Sequence, residues 1–369
     1  MKPYRIEVIA KTVLALALLI VAGAGFNGYK DIDKRFFVVT MGVDEGKGGY
    51  KYEVLLKLAL PQSDPKAAKN EFIILRKQSD SIASAVAFMK SQVDKEFDFG
   101  QMKMVLVGDQ LAKRDWFGTM DWFFRRRDIQ KIAYVAAARP DARTVLELKP
   151  PFEKMPSESF FIAFGDEGTE TPYIVSEFLF DLLRRLHERG IDPVVPIVEP
   201  FGKQFAIQKS YVIEKTGAKL ELNPQETALY SMLLNRSERA TLMGGDGKSE
   251  FSVTAEEIKL DYELDAKSSP PRARVSGTIL GTLETVPANA ELDDLGPYER
   301  ELERRMNRDL VAFLEKLRTA GVDPIGFGLR YRAKHTNNKT EWEEWEKLYP
   351  KLTFDAQVHV RLETSGVIE

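Results

Sequence analysis

Three histidines are the side chains of this 369-residue chain best suited to acid–base or metal chemistry. A metal site on one helix or turn uses two histidines three to five residues apart. His187, His335 and His359 stand far apart, and none has a second histidine at that spacing. The chain has no cysteine, which excludes disulfides, thiolate zinc sites, iron–sulfur clusters and cysteine nucleophiles. We therefore predict no catalytic residue, no metal site and no bound cofactor.

Two other segments carry partial ligand motifs. In GGDGKS (244–249), Leu242 stands where a phosphate loop requires its first glycine, so this segment is predicted to be a hairpin turn. The segment DWFFRRRD (121–128) combines aromatic residues with three arginines, as nucleic-acid or anionic-lipid sites can. Its apolar residues lie on the same helical face as the apolar residues just before this segment. This pattern indicates a core helix with a solvated end. The net charge of −3 also predicts no nucleic-acid partner.

The segment AGVDPIGFGLRYR (320–332) is the most informative cluster of turn residues. Gly321 can adopt the left-handed conformation that ends a helix, and Asp323 and Pro324 prevent its continuation. The G-F-G at 326–328 follows a helix end, whereas a nucleotide fingerprint lies between a strand and a helix start. We expect a backbone turn here that leads into a strand, with an unusual backbone angle at Gly328, and not a nucleotide site.

The first half of the globular sequence alternates strands and helices. Residues 35–44 and 50–60 are predicted strands of a hairpin, and the glycines of EGKGG supply its turn. Predicted helices and strands then alternate as far as residue 138. A proline-punctuated region follows around one amphipathic helix at 172–189, and we place a domain boundary near Pro200.

The second half contains more strand than helix. Strands are predicted within 208–223, 251–264, 272–285 and 351–366, with helices at 223–235, 297–320 and 340–351. The long helix 297–320 has apolar residues every three or four positions, so one face must lie on a sheet. The predicted class is α+β, with two or three mixed domains and largely antiparallel sheets within 28–200 and 201–369.

The N-terminal segment 1–27 has the pattern of an export signal or a membrane anchor. Lys2, Arg5 and Lys11 precede the uncharged stretch Thr12 to Phe26, an order that keeps the N-terminus in the cytosol. Signal peptidase accepts small residues such as those at 22–24, so cleavage competes with retention. We favour an uncleaved anchor, with residues 28–369 outside the cytoplasmic membrane.

The order of these motifs resembles that of the Ger(x)C family, the C subunits of spore germinant receptors. The resemblance rests on DIDKRFFVVTMGVD (31–44), FGQMKMVLVGDQLAK (99–113), RRRDIQ (125–130) and the D-P-I-G-F-G motif before a short Trp-containing helix and a final strand. It covers nearly all of residues 28–366. The family-motif positions, which we expect to be structural, are Gly42, Asp44, Arg127, Asp128, Asp323, Pro324, Gly326, Phe327 and Gly328.

This resemblance implies a non-enzymatic lipoprotein on the outer face of the spore inner membrane. It implies assembly with integral-membrane A and B subunits and a requirement in nutrient-triggered germination, without identifying the small-molecule germinant. The chain departs from the family at the lipid-attachment cysteine, since Ala24 or Phe26 stands in its place. It also has Ala138 to Ala142 where the family shows G-x-A after its third strand.

A different class of function fits the same composition. An extracytoplasmic solute-binding protein or an envelope enzyme domain is the alternative. Thermal stabilisation by one amino acid or sugar would favour solute binding over an interaction subunit.

Overall fold

The computed structural model describes residues 8, 11–16, 34–60, 71–151, 153, 156–165, 170–214, 216–237, 239–286, 294–336 and 340–363. Most of the predicted signal or anchor, with Ala24 and Phe26, lies outside these residues. Within the described part of the chain, no helix has both the length and the apolar character needed to span a bilayer.

Two sheets organise the described residues. The first contains β1 (Arg35–Glu45), β2 (Tyr52–Ala59), β3 (Phe72–Ser79), β4 (Glu96–Asp98), β5 (Met104–Gly108), β6 (Tyr134–Ala138), β7 (Val194–Phe201), β8 (Gln204–Glu214) and β9 (Gly217–Leu222). Their order is β3-β2-β1-β5-β6-β7-β8-β9, with β4 beside the start of β1. Strands β1, β5, β6 and β7 are parallel, and the flanking pairs are antiparallel.

Helices cover both faces of the first sheet. One face packs against α1 (Ile82–Lys90), α3 (Trp116–Arg125) and α6 (Leu179–His187), and α2 (Asp109–Ala112) lies directly after β5. The other face packs against α4 (Ala142–Glu147) and α5 (Glu158–Phe164). Consecutive residues of β5 therefore alternate between two cores, and all five are buried.

The second sheet has the order β10-β11-β12-β13. It consists of β10 (Ala240–Gly244), β11 (Phe251–Asp265), β12 (Arg272–Thr285) and β13 (Thr353–Glu363), of which only β12 and β13 pair in parallel. The helices here are α7 (Pro224–Leu233), α8 (Gly296–Ala320), α9 (Phe327–Lys334) and α10 (Glu341–Leu348). The mixed α+β class with mostly antiparallel sheets is confirmed.

Helix α8 closes the free edge of β13. The backbone N–H groups of Val358, Val360 and Leu362 donate to the side chains of Asn307, Glu303 and Glu299, at 2.8, 3.0 and 3.0 Å. Four helical residues rise about 6 Å and two strand residues about 6.6 Å, so the two series stay in register. Another chain therefore cannot pair with these edge N–H groups.

The structure corrects several element predictions. A helix, α9, follows the G-F-G motif where a strand was expected. Strands β3 and β10 were not predicted, and α6 begins at Leu179, later than expected. The domain boundary near Pro200 stays a prediction; this position lies within β7, and β8 and β9 continue the first sheet beyond it.

Candidate functional site

The carboxylate of Asp323 organises the turn between α8 and α9. It accepts hydrogen bonds from the backbone N–H groups of Gly326, Phe327 and Gly328, at 2.9, 3.1 and 2.7 Å. These amides open α9 and have no acceptor within the helix, so the carboxylate caps it. Asp323 is only 6% exposed, and burial raises its pKa to about 7 although the three N–H donors act in the opposite direction. A side chain four residues before Phe327 thus caps the start of α9.

The backbone of Asp323 also forms hydrogen bonds with Asp192, in the half of the chain that forms the first sheet. Its N–H donates to the Asp192 carboxylate at 2.6 Å, and its carbonyl accepts from the Asp192 N–H at 2.9 Å. Asp192 lies just before β7, and burial raises its pKa to about 6. Close by, the carbonyl of Gly190 accepts from the N–H of Leu329 at 2.8 Å. We call residues 188–192 and 323–332 together the domain joint.

Glycines allow the two backbones of the domain joint to touch. A Cβ added to Gly328 would lie 2.5 Å from Nε1 of Trp345 and 2.7 Å from Cα of Gly190. Gly328 is helical, so its requirement is steric and not the unusual backbone angle that the sequence suggested. The left-handed residues are Gly326, at φ +86°, and Gly190, at φ +88°.

Side chains complete the domain joint on both sides. Arg332 donates to the Glu188 carboxylate at 2.6 Å and to the carbonyl of Arg189 at 2.9 Å. The buried ring of Phe327 packs edge-on against Tyr262, with the ring centroids 4.8 Å apart. The domain joint therefore combines backbone hydrogen bonds with an ion pair, and Phe327 fixes it to β11 of the second sheet.

A buried charge cluster forms a second contact between the two halves. Glu177 is fully buried, and among the described residues neither of its carboxylate oxygens has a hydrogen-bond partner. Its nearest recorded cations are Arg185, at 3.9 Å, and Arg236, at 3.8 Å. Burial raises the pKa of Glu177 to about 7. Arg185 on α6 also reaches the hydroxyl of Tyr230 on α7 at 3.4 Å.

Gly42 and Asp44 position α4 against the first sheet. The Asp44 carboxylate accepts from the N–H groups of Ala142 and Arg143, at 2.7 and 3.0 Å, at the start of α4. Burial raises the pKa of Asp44 to about 6. A Cβ on Gly42 would lie 2.7 Å from Cδ1 of Leu146, so only glycine permits this approach.

The remaining two motif residues lie elsewhere. Arg127 is exposed, and Asp128 pairs with Arg126 at 2.7 Å, not with Arg127. The guanidinium of Arg126 lies over the rings of Phe99 and Trp122, 4.8 and 4.9 Å from their centroids. The arginine run thus ends α3 as predicted. The family-motif residues lie in three places: the domain joint, the start of α4 and this loop.

A cleft opens at the carboxyl ends of the parallel strands. Its volume is about 260 Å³, and its lining includes Asp44, Glu53, Asp109 and Arg143. Glu53 lies directly opposite Asp44 in the sheet and is 9% exposed. In the described residues Glu53 makes no hydrogen bond and no ion pair within 4 Å, although it interacts electrostatically with Arg143 and Asp44. A cationic group is the ligand that such a pair of carboxylates would attract.

Arg139 ties this edge of the sheet together. Its guanidinium contacts the carboxylates of Asp109, Glu199 and Glu221, at 3.2, 2.9 and 2.8 Å, and the hydroxyl of Tyr211. The Tyr211 hydroxyl in turn donates to Asp109 at 2.6 Å. Arg139 and Asp192 could not be identified from sequence because their partners lie far away in the chain, and Glu53 has no motif around it that marks it.

Each of the three histidines has its own local partner. The rings of His187 and His335 each bond a backbone carbonyl four residues earlier, and His359 lies 3.5 Å from Glu303. Over the described ranges, no group of three His, Cys, Asp or Glu side chains is arranged to hold a metal ion.

The packing at Gly328 yields a stability prediction. Gly328→Val should lower the free energy of unfolding by about 1–3 kcal/mol, because its side chain would force Trp345 and the Gly190 backbone apart. Gly321→Asn is the matched control, since Gly321 has φ +72° and no atom within 4 Å of an added Cβ, and asparagine tolerates this conformation. Denaturant unfolding would measure both variants. A Gly328→Val protein as stable as the parent would show that the close approach is unimportant.

Comparison with known proteins covers both halves of the chain. Residues 28–200 match a family model described as the spore germination protein N-terminal domain, and residues 209–366 match the model of the "Spore germination B3/ GerAC like" C-terminal domain. A search of curated proteins finds no significant match. A crystal structure of the GerBC protein is similar with a TM-score of 0.58 at 17% identity, covering 87% of this chain and 96% of that one. That likeness concerns the fold, and the two family models show that the chain belongs to the Ger(x)C family of spore germination proteins, the C subunits of germinant receptors.

Proposed function

We propose that this protein is a non-enzymatic assembly subunit that binds the integral-membrane A and B subunits of a germinant receptor. It acts on the outer face of the spore inner membrane, in nutrient-triggered germination. Family membership supports the receptor assignment. Assembly with particular subunits, the membrane location and the absence of catalysis are parts of the proposal.

The observation that carries this proposal is the domain joint. Asp323 caps α9 in one half and is bound through its backbone to Asp192 in the other. Because these contacts are buried and specific in geometry, a displacement of one half must move the other or break the joint. A subunit that links partners mechanically requires such a connection, whereas an enzyme would require convergent reactive groups.

We also propose that Thr12 to Phe26 remains attached as an anchor. The lipid route is closed because diacylglyceryl transfer needs a thiol and the chain has none. An anchored subunit gains effective concentration toward membrane-embedded partners.

A pull-down from spore membranes tests assembly. Affinity-tagged full-length protein, extracted in mild detergent, should co-purify the A and B subunits, and N-terminal sequencing should find the anchor still present. The Gly328→Val variant should recover less of both subunits per molecule, and Gly321→Asn should recover as much as the parent. Recovery of the parent without either subunit would contradict the proposal, and a mature N-terminus at Gly25 would contradict the anchor.

Binding of a small solute is a second candidate function, favoured by the cleft beside Glu53. Glu53 is only 9% exposed as a residue, lines the cleft and lies opposite Asp44. The ligand class that fits is a small organic cation with an ammonium group.

Thermal shift measurements would test this second candidate. Methylammonium, putrescine and lysine should each be titrated, because saturation at 100 times the dissociation constant adds about 2.7 kcal/mol and raises Tm by a few degrees. Glu53→Gln should abolish the shift, whereas Glu346→Gln, an exposed acid on α10, should preserve it. No shift with any of the probes would remove support for a solute site.

A further inference from the structure

Four large apolar side chains are exposed near the amino ends of the parallel strands. Ile132 is 60% exposed, Phe161 40%, Ile162 43% and Phe180 48%. Ile132 lies just before β6, and the N–H of Phe180 donates to the neighbouring carbonyl of Lys131 at 2.9 Å. We call these four side chains the amino-edge surface.

Stacked aromatic rings make the amino-edge surface continuous with the core. The ring centroids of Phe178 and Phe180 lie 5.6 Å apart, and those of Tyr134 and Phe178 lie 4.7 Å apart. Tyr134 stacks in turn on Phe164 of α5, the helix that carries Phe161 and Ile162. Phe161, Ile162 and Phe180 are therefore held on helices, and Ile132 lies in the turn directly before β6.

Basic side chains border this surface. Lys103, directly before β5, places its ammonium 5.2 Å from the ring centroid of Phe161. Arg127 and Lys95 lie at the same edge, before β6 and β4. Within the described part of the chain, none of these three cations has a carboxylate within 4 Å. Three neighbouring acids are in ion pairs, Asp128 with Arg126, Asp98 with Arg35 and Glu96 with Lys90, while Asp94, next to Lys95, is exposed.

The chain enters the fold at this same edge. β1 starts at Arg35 and runs parallel to β5, so the amino ends of both strands point the same way. Only residues 27–34 separate the predicted anchor from β1, and eight residues span at most about 28 Å. An anchor that stays in the bilayer would thus keep the amino edge near the lipid headgroups.

We propose that the amino-edge surface rests in the headgroup region of an anionic lipid bilayer. The four apolar side chains enter the interface, and Lys103, Arg127 and Lys95 lie among the phosphates. This orientation rests on the proposed membrane location. It directs the cleft at the opposite, carboxyl edge of the sheet away from the lipid.

The absence of cysteine makes a direct test simple. Single cysteines at Ile132 and Phe180 would be labelled with an environment-sensitive fluorophore in the full-length protein, reconstituted in nanodiscs containing phosphatidylglycerol. Phe201→Cys is the matched control, because Phe201 is apolar and 73% exposed but lies at the end of β7, on the opposite edge. Labels at 132 and 180 should show blue-shifted emission and lose quenching by iodide, while the label at 201 should remain quenched. Melting temperatures equal to the parent's would show that the variants fold.

A second experiment varies the lipid composition and the positive charge of the protein surface. Nanodiscs of phosphatidylcholine alone, or the double variant Lys103→Gln with Arg127→Gln, should restore part of the iodide quenching at Phe180. Arg304→Gln, an exposed arginine on α8, should leave the quenching unchanged.

Two results would overturn the lipid orientation. Labels at 132 and 180 that are as quenched as the label at 201 would place the surface in water. A blue shift that appears only after the A and B subunits are added would assign the surface to a protein partner. The pull-down described above reports assembly independently, so failure of the orientation is distinguishable from failure of the receptor role.

Discussion

One buried residue, Asp323, joins the two halves of the molecule through its side chain and its backbone together. Its oxygens accept three N–H groups at the start of α9, while its own backbone pairs with Asp192. Burying a carboxylate is costly unless hydrogen bonds satisfy it, and here the helix amides supply those bonds. Replacing the Asp323 side chain would leave the α9 amides without their acceptor, while the backbone N–H and carbonyl of residue 323 would still be able to pair with Asp192.

The same turn explains why two glycines stand so close together in the D-P-I-G-F-G motif. Gly326 provides a left-handed residue after Pro324, and Gly328 lets the helix backbone touch Gly190 and Trp345. The close approach leaves no room for a ligand between the two backbones at that point. The motif therefore brings the two halves of the chain into close contact at this point.

Much of the fold could be predicted from local pattern. The first hairpin, α8 and the asparagine cap with proline at the start of α7 are encoded by residues close in sequence. Helix α9 was predicted as a strand because its start depends on Asp323, and the weakly amphipathic FGLRYRAK has no pattern that identifies it. Gly328 was assigned an unusual angle because a steric requirement set by Gly190, well over a hundred residues earlier, cannot be seen in sequence.

The candidate sites were less predictable than the fold for the same reason. Asp192 and Arg139 look like ordinary charged residues until segments distant in sequence bring their partners to them. Asp44 was identified only as part of a resemblance, although its physical role, capping α4, is clear from Ala142 and Arg143. The positions whose partners lie far away in sequence are the ones that only the structure could assign.

Hydrogen exchange of the backbone amides tests the domain joint most directly. The account predicts that Gly326, Phe327 and Gly328 exchange only through global unfolding, with the same protection as Val135 in the first sheet and Val358 in the second. Exchange of these three amides through a local opening, orders of magnitude faster than in both sheets, would contradict the claim that Asp323 joins the two halves into one unit.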